Sequence, residues 1–376
     1  MTSAIKIEPE VEPMATDGIG AGPSLQNPTG LPADFLNRMA RAGALAPSGD
    51  NLQPWSFSAD GDALLVEHDP QRDRSLFNVQ ALASYIALGA VLENIQIAAS
   101  AEGYRTAIET FPNGRNENLI ARVTFQSGEK PDPLAPYLDR RCTNRRPYQK
   151  KPVSPAVLAE LDISRQFPQI SLHWVREQTK LKTLGKLIAR ADRVIFENSR
   201  IHKHLFSTLR WTREEIESTR DGLPIQSLEL GRLGSLAFRS LKNWSVVRFL
   251  NRFGFSQAAA NHSVLLMQRC SAAGLITAPD LSQLSFLSAG RAFQLLWLRA
   301  TKENLALQPM TAIIFLPLKS RLGDSEGLTS GQTTMIRNLR EELDAFFNLK
   351  DAVPAMLFRL GFSAPPSLRT IRRSTT

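Results

Sequence analysis

A chain of 376 residues with 43% hydrophobic and 22% charged residues has the composition of a soluble globular protein, long enough for two domains or one duplicated domain. No uninterrupted apolar run approaches the roughly 18 residues that span a membrane, and no secretory signal pattern opens the chain, so a cytoplasmic location is expected. Two cysteines, Cys142 and Cys270, are too few for a disulfide framework or a cysteine-based metal site. The net charge of +9 indicates a phosphorylated cofactor, nucleic acid or anionic lipid as partner, or simply a solvated basic surface.

The first elements follow from hydrophobic periodicity. Residues 1–30 are rich in Pro, Gly, Glu, Ser and Thr and show no periodicity, which predicts a disordered tail. Apolar residues at helical spacing predict a short helix over 32–46. Alternation then predicts a β-hairpin that turns at 59–62 and returns along 64–66. A long helix is expected over 82–102, ended by Gly103, and a strand at about 119–125.

A polar turn at residues 46–55 (Ala-Pro-Ser-Gly-Asp-Asn-Leu-Gln-Pro-Trp) separates the first helix from the hairpin. Pro47 and Pro54 fix two backbone φ angles, which lowers the cost of ordering the turn. The amides of Asn51 and Gln53 each offer donors and an acceptor. Such a turn suits a flat ligand with many acceptors, although an ordinary Asn/Gly/Pro turn has the same composition.

The densest basic stretch, residues 140–151, holds six cations in twelve residues. Arg141 and Arg145 flank Thr143, and two guanidinium forks with a hydroxyl between them match the oxygens of a phosphate. A solvated basic loop is the alternative interpretation of the same residues.

An internal repeat is indicated by residues 89–99, which match residues 290–300 in size and polarity at most positions. Both copies read as a helix that opens on a glycine, where another backbone or a ligand could come close. A strand is expected after each helix, at 313–316 in the second copy. The copies differ at Asn304, which stands where the first has Gly103. The match raises the hypothesis of a duplicated α+β unit.

Three motifs together resemble the FMN-dependent nitroreductase-like superfamily: Ala-Pro-Ser-x-x-Asn-x-Gln-Pro-Trp at 46–55, Arg-x-Thr-Asn-Arg at 141–145, and Gly-Arg-Ala-Phe-Gln followed by Leu-Ala-Leu-Gln-Pro-Met within 290–310. Their order is similar to that of the long Acg-like subgroup, in which two units are fused. The resemblance covers about residues 31–373. It implies an α+β fold in which two fused units form a pseudo-dimer, with mixed sheets flanked by helices and FMN between the halves. The first unit is expected at 31–138 and the second at 139–376.

The resemblance also implies which residues contact FMN. The family's phosphate string corresponds to Arg141, Thr143 and Arg145. Positions beside the flavin correspond to Pro47, Ser48, Asn51 and Gln53. The loop that brings backbone N–H groups to the ring corresponds to Leu307, Gln308 and Pro309. Basic residues that return to the phosphate at the family's C-terminus correspond to Arg372 and Arg373, although terminal arginines are commonly just solvated.

A long interruption at about 199–265 resembles the insertion that covers the flavin as a lid in the subgroup. Lids exclude water and select substrates. Because the stretch is basic and amphipathic, a membrane surface or a partner protein is the alternative contact.

The resemblance implies an FMN-dependent oxidoreductase that passes hydride from NAD(P)H through FMN to a nitroaromatic, a quinone or a pathway intermediate. No catalytic side chain is predicted, since positioning and tuning of the flavin would carry the reaction. The alternative is a non-catalytic FMN-binding protein whose lid closes the site. The hypothesis that the protein binds nucleic acid depends only on its high isoelectric point. We expect a small-molecule substrate, no nucleic acid or membrane partner, no metal, and a monomer or weak homodimer.

Overall fold

The computed structural model describes residues 30–73, 75–115 and 117–375. The predicted disordered tail at 1–30 therefore lies outside the described residues, apart from Gly30. The helices are α1 Phe35–Ala44, α2 Leu82–Ala101, α3 Pro155–Glu160, α4 Gln178–Glu197, α5 Ser199–Thr208, α6 Arg213–Thr219, α7 Gly231–Ser240, α8 Trp244–Asn251, α9 Phe255–Arg269, α10 Gln283–Lys302, α11 Ala312–Arg321 and α12 Ser330–Phe347. The strands are β1 Trp55–Asp60, β2 Ala63–His68, β3 Tyr104–Thr110, β4 Leu119–Ser127, β5 Ser171–Val175, β6 Leu209–Arg210, β7 Leu223–Pro224, β8 Ala272–Ala278, β9 Ala306–Pro309 and β10 Val353–Gly361. The predicted α+β class is confirmed.

The first sheet has the strand order β1-β2-β4-β3 and is antiparallel. Its hairpin turns at Gly61, whose φ of +58° suits a residue without a side chain. The hairpin and the strand at 119–125 are both confirmed. Helix α1 buries Phe35 against Tyr104 and Phe125 of this sheet.

The second sheet has the order β5-β8-β10-β9 and is also antiparallel. Every residue of β8 and β10 is buried, which explains why their sequences are apolar except for Thr277 and Arg359, since a strand covered on both faces has no polar side. Gly274 of β8 makes room for the ring of Phe358, because a Cβ there would lie 2.2 Å from it. Parallel pairing occurs between β6 and β7 and at the bridge from Thr143 to Leu307.

Helices α2 and α10 pack against each other, and they contain the two matching segments of the internal repeat. A Cβ on Gly89 would lie 2.0 Å from the carbonyl oxygen of Leu287, and a Cβ on Gly290 would lie 2.1 Å from that of Ile86. The contact is reciprocal at the offset of 201 residues. Only glycine allows two helix backbones to approach this closely.

The two repeated helices also end alike. Gly103 follows α2 with φ +84°, and Asn304 follows α10 with φ +55°. Asparagine is one of the few side chains that tolerate this left-handed conformation. The substitution therefore keeps a left-handed residue after each of the two helices.

One predicted strand is wrong. Residues 313–316 belong to α11, and the strand that follows α10 is β9. Helix α11 is buried from Ile313 through Lys319, so its apolar residues form a run without helical periodicity. Such a run cannot be told from a strand by its pattern.

The interruption forms helices α5–α9 and the short pair β6–β7. It has a small core of its own, formed by Phe206, Leu209, Leu223, Leu241 and Val247. Residues 79–101 are long and apolar enough to cross a membrane, but 78% of that window is buried by the rest of the protein. The apolar surface of α2 is therefore already covered by protein.

Candidate functional site

The turn at 46–55 is held in a fixed, locally strained conformation. Three of its residues with side chains have positive φ: Asp50 (47°), Asn51 (57°) and Gln53 (56°). Ser48 supports the turn, since its Oγ accepts a hydrogen bond of 2.9 Å from the backbone N–H of Gln53. Strained backbone of this kind persists only where the surroundings determine it, and it concentrates at functional sites.

The C-terminal tail supplies those surroundings by folding back across the molecule. Arg372 donates to the carbonyl of Ala44 (3.0 Å) and to Oδ1 of Asn51 (2.7 Å). Nδ2 of Asn51 in turn donates to the carbonyl of Ile371 (3.1 Å). Arg372 thereby binds the last carbonyl of α1, which has no partner within the helix.

Gln53 joins the turn to two other segments. Its Oε1 accepts from the backbone N–H of Arg373 (2.8 Å), and its Nε2 donates to the carbonyl of Arg220 (2.9 Å) in the insertion. Gln53 is 1% exposed. Its amide is thus occupied by protein groups, which makes it a link between turn, tail and insertion.

A cavity of about 120 Å³ lies where these segments meet. Seven of the twelve predicted residues line it: Pro47, Ser48, Asn51, Arg141, Thr143, Arg145 and Arg372. The insertion contributes Leu223 and Ser227, and the tail contributes Leu368, Arg369 and Thr370. Motifs separated by up to 325 residues, from Pro47 to Arg372, are therefore brought to one place.

Three arginines, Arg141, Arg145 and Arg372, form what we call the arginine cluster of this cavity. Burial lowers the pKa of Arg141 to about 9, helped by the charge of Arg372, and lowers that of Arg372 to about 10. Burial also lowers the pKa of Arg145. Within the described part of the chain, none of the three forms an ion pair with a carboxylate at 4.0 Å or less.

Within the described residues, Arg141 is the member of the cluster with an unpaired buried donor. It is 6% exposed and stacks on Trp297 with 4.5 Å from guanidinium carbon to ring centre. Its Nη2 donates to the carbonyl of Leu45 (2.9 Å), whereas its buried Nε has no hydrogen-bond partner among the described residues. A buried cation with a free donor is costly unless an anion pairs with it. The cavity is chemically suited to a phosphate.

Asp50 is a cavity residue that the sequence did not reveal. Its carboxyl lies near His204 and Thr208 of α5 and near Arg145, and burial raises its pKa. Nε2 of His204 is buried without a partner among the described residues. Asp50 and His204 are 154 positions apart, so only the docking of the insertion brings them together. The only feature of the sequence that pointed to Asp50 was its place in a turn rich in polar residues.

Five predicted residues do not line the cavity. Leu307 and Pro309 lie in β9, which pairs with β10, and Leu307 is fully buried. Oε1 of Gln308 accepts from Nε of Arg359 (2.7 Å). Gln53 is engaged as described above, and Arg373 pairs with Asp221. These groups are committed to other contacts in this structure, so their role toward a flavin stays a prediction. Among the described residues no cluster of His, Cys, Asp or Glu could hold a metal ion.

No family model matches the chain. The putative NAD(P)H nitroreductase Acg of Mycobacterium tuberculosis is 23% identical over 206 residues, which cover 53% of this chain and 60% of Acg. The chain is thus similar in sequence to a protein that carries the name of a nitroreductase. An uncharacterized protein of the same organism, MT1398, is 26% identical over 338 residues, 89% of this chain and 47% of that protein. The chain thus spans about half the length of the curated relatives it matches.

Solved structures align over 64% of the chain. They include the FMN-dependent nitroreductase NfnB of Mycobacterium smegmatis in complex with NADPH (11% identity, 94% of that chain, TM-score 0.37). A nitroreductase with bound FMN from Bacteroides fragilis gives 11% identity over 94% of its chain and a TM-score of 0.34. TM-scores of this size describe a local likeness of elements and identify no function.

Proposed function

We propose that the chain is an FMN-dependent oxidoreductase of the nitroreductase-like kind, with a small organic molecule as electron acceptor. The observation that carries the proposal is the arginine cluster, which lines the cavity without an ion pair to a carboxylate at 4.0 Å or less among the described residues, and whose Arg141 is buried with an unpaired Nε. A phosphate in the cavity would accept hydrogen bonds from the cluster and balance its charge. The sequence relationship to a nitroreductase makes FMN the phosphate-bearing ligand of choice.

In this proposal the chain's own residues bind and orient the cofactor. Arg141 and Arg145 hold the phosphate with the hydroxyl of Thr143, and Arg372 fixes the turn on which Ser48 and Asn51 lie. When bound, FMN supplies the acceptor and donor for two electrons and a proton. No side chain of the turn acts as an obligatory acid or base. We propose NAD(P)H as the reductant and a nitroaromatic, a quinone or a pathway intermediate as the acceptor.

The size of the cavity bears on how the cofactor enters. At about 120 Å³ it is smaller than the roughly 300–1,000 Å³ of typical ligand pockets. The phosphate end of FMN would fit, whereas the rest of the molecule requires the insertion or the tail to shift. We therefore propose that the insertion at 199–265 is a lid and that its docking depends on the link through Gln53.

The fused organisation is likewise a proposal. The reciprocal crossing of α2 and α10 supports two related units, at 31–138 and 139–376, in one chain. One chain would then supply both halves of the cofactor site, so we propose a monomer or weak homodimer acting in the cytoplasm.

The first experiment is the visible absorption spectrum of the purified protein, as isolated and after incubation with FMN. We expect a bound-flavin spectrum that survives gel filtration and bleaches on anaerobic addition of NADPH or NADH. Riboflavin, which lacks the phosphate, is the matched control ligand and should bind much more weakly. A protein that stays colourless after incubation with FMN would overturn the proposal.

A second candidate function is FMN storage or sequestration without turnover. It is favoured by one observation: Leu223 and Ser227 of the insertion line the cavity, and Arg220 is tied to Gln53 of the turn. Stopped-flow reduction separates the two. Bleaching within seconds at physiological NAD(P)H rejects sequestration, whereas bound flavin that stays oxidised with both nucleotides rejects the oxidoreductase.

A further inference from the structure

Four of the most exposed apolar side chains in the described residues lie on two helices of the insertion. Leu233 (83% exposed) and Leu236 (66%) project from α7, and Phe249 (54%) and Phe253 (77%) project from the end of α8. The rings of Phe249 and Phe253 pack on each other in solvent, with centroids 5.4 Å apart. Single exposed leucines need no explanation, but clustered exposed leucines and phenylalanines indicate a contact surface.

The same segment has an extreme charge pattern. Residues 230–279 contain no Asp or Glu, although the chain as a whole has 36. Six Lys and Arg residues lie in this stretch: Arg232, Arg239, Lys242, Arg248, Arg252 and Arg269. Within the residues that the structure describes, none of the six makes an ion pair at 4.0 Å or less. The contact surface therefore favours an anionic partner.

Helical spacing interleaves these cations with the apolar residues. On α7, Arg232 and Arg239 lie four positions before and three after Leu236, which places all three on one face. Arg248 and Phe249 lie in the last turn of α8, and Arg252 and Phe253 follow directly after the helix, with the rings of Phe249 and Phe253 in contact. On the other side of these helices, Phe238 of α7 packs against the small core of the insertion and Val247 of α8 belongs to it. We call the outward residues, Arg232, Leu233, Leu236, Arg239, Arg248, Phe249, Arg252 and Phe253, the α7–α8 face.

We propose that the α7–α8 face binds the surface of an anionic lipid bilayer. Leucine and phenylalanine insert at the boundary between headgroups and acyl chains, while arginines beside them reach the lipid phosphates. A nucleic acid would use the arginines and leave the exposed apolar residues without a partner. A symmetric contact with a second copy would bring two all-cationic faces together, with no carboxylate on either face to pair with them. The proposal departs from the expectation of no membrane partner and is independent of the proposed FMN chemistry.

The test is flotation of the full-length protein with vesicles. One set contains phosphatidylcholine alone and the other about one third phosphatidylserine. We expect binding to the anionic vesicles at about 0.05 M salt, at least about tenfold weaker binding to the neutral ones, and marked loss at about 0.5 M salt. No binding to anionic vesicles at low salt overturns the proposal.

Two double variants of matched chemistry locate the contact. Arg252→Glu with Phe253→Ser alters the α7–α8 face and should weaken vesicle binding at least about tenfold. Arg165→Glu with Leu284→Ser makes the same changes at exposed residues elsewhere and should bind like the original chain. Circular dichroism melting confirms that each variant is folded. An equal loss of vesicle binding in both variants overturns the proposal. So does the finding that the α7–α8 face mediates dimerisation or DNA binding instead.

Discussion

Arginines are used in opposite ways in two regions of this molecule. Those of the arginine cluster are enclosed around a cavity of about 120 Å³, and burial lowers the pKa of all three. Those of the α7–α8 face project into solvent beside exposed leucines and phenylalanines. In the described residues neither group pairs with a carboxylate at 4.0 Å or less. Elsewhere arginines do pair, as Arg38 with Glu102 and Arg190 with Glu342.

The difference lies in what each region can bind. A buried cation interacts strongly with one anion held in a fixed place, and salt screens this interaction little. An exposed cation attracts an anion only weakly, because water and salt screen the interaction between the two charges. Several exposed cations must therefore act together, and salt weakens their combined effect. The arginine cluster is therefore suited to one phosphate group, whereas the α7–α8 face is suited to a surface that presents many.

Replacing Arg141 by alanine tests the buried region with the largest expected effect. Hydrogen bonds to charged groups contribute about 1.5–3 kcal/mol, so FMN affinity should fall by about 10- to 150-fold. Quenching of flavin fluorescence measures it, and riboflavin affinity should hardly change. Arg145→Gln should show a smaller loss of the same kind. Arg248→Ala, in the α7–α8 face, is the control and should keep the FMN affinity of the original chain. If the Arg141→Ala variant still prefers FMN over riboflavin, the phosphate does not bind in this cavity.

Replacing Gln53 by leucine asks whether the buried region depends on the tail and the insertion. The variant leaves the backbone N–H of Arg373 and the carbonyl of Arg220 without their partners. We expect the free energy of unfolding in urea to fall by about 2 kcal/mol and trypsin to cleave the tail faster. Gln166→Leu, at an exposed position, should change neither. Unchanged proteolysis in the Gln53 variant would mean that other contacts hold the tail.

Replacing Asp50 by asparagine sharpens the account of charge in the cavity. Ionised Asp50 offsets the charge of Arg145 and repels a phosphate, so the variant should bind FMN about tenfold more tightly at pH 8, a difference of ~1.4 kcal/mol. Burial raises the pKa of Asp50 above its ordinary 3.8. As the pH falls through that raised pKa, Asp50 in the original chain gains a proton and the two affinities should converge. A ratio of affinities that is constant with pH would show that the carboxyl does not act on the phosphate.

Local sequence patterns were enough to predict the elements that are buried on one face only or that are bounded by clear turns. The hairpin at Gly61, helix α2 and its end at Gly103 were all predicted correctly, because alternation, apolar content and glycine act over a few residues. Helix α11 was mistaken for a strand because its buried run, Ile313–Lys319, is too short for its pattern to separate a helix from a strand, whereas the equally buried α2 is 20 residues long. The repeat at Gly89 and Gly290 was detectable, since the close crossing of two backbones requires glycine at both positions.

The site was harder to predict from the sequence, because its contacts join segments that are far apart along the chain. The phosphate string and the turn were recognisable as strings of residues, and the structure brings seven of the predicted residues to one cavity. That Asn51 would bind Arg372, or Gln53 link to Arg220, depends on the paths of the tail and the insertion, which no local pattern encodes. The same holds for Asp50, whose neighbour His204 comes from α5. The basic, amphipathic sequence of the α7–α8 face indicated that it is exposed, and the structure shows which of its side chains lie in solvent.

The smallest expected effect concerns the α7–α8 face, where Arg232→Glu should stabilise the protein. Arg232 lies in the first turn of α7, which has no acidic residue, and a cation there opposes the helix dipole. A carboxylate at this position should raise the free energy of unfolding by about 0.5–1 kcal/mol at low salt and by less at high salt, with about half the gain for Arg232→Gln. The same Arg232→Glu variant should bind anionic vesicles more weakly. A gain in stability coupled to a loss of vesicle binding would show that the cation is kept for a partner and at a cost to the fold, whereas a loss of stability would mean that Arg232 already contributes to the fold.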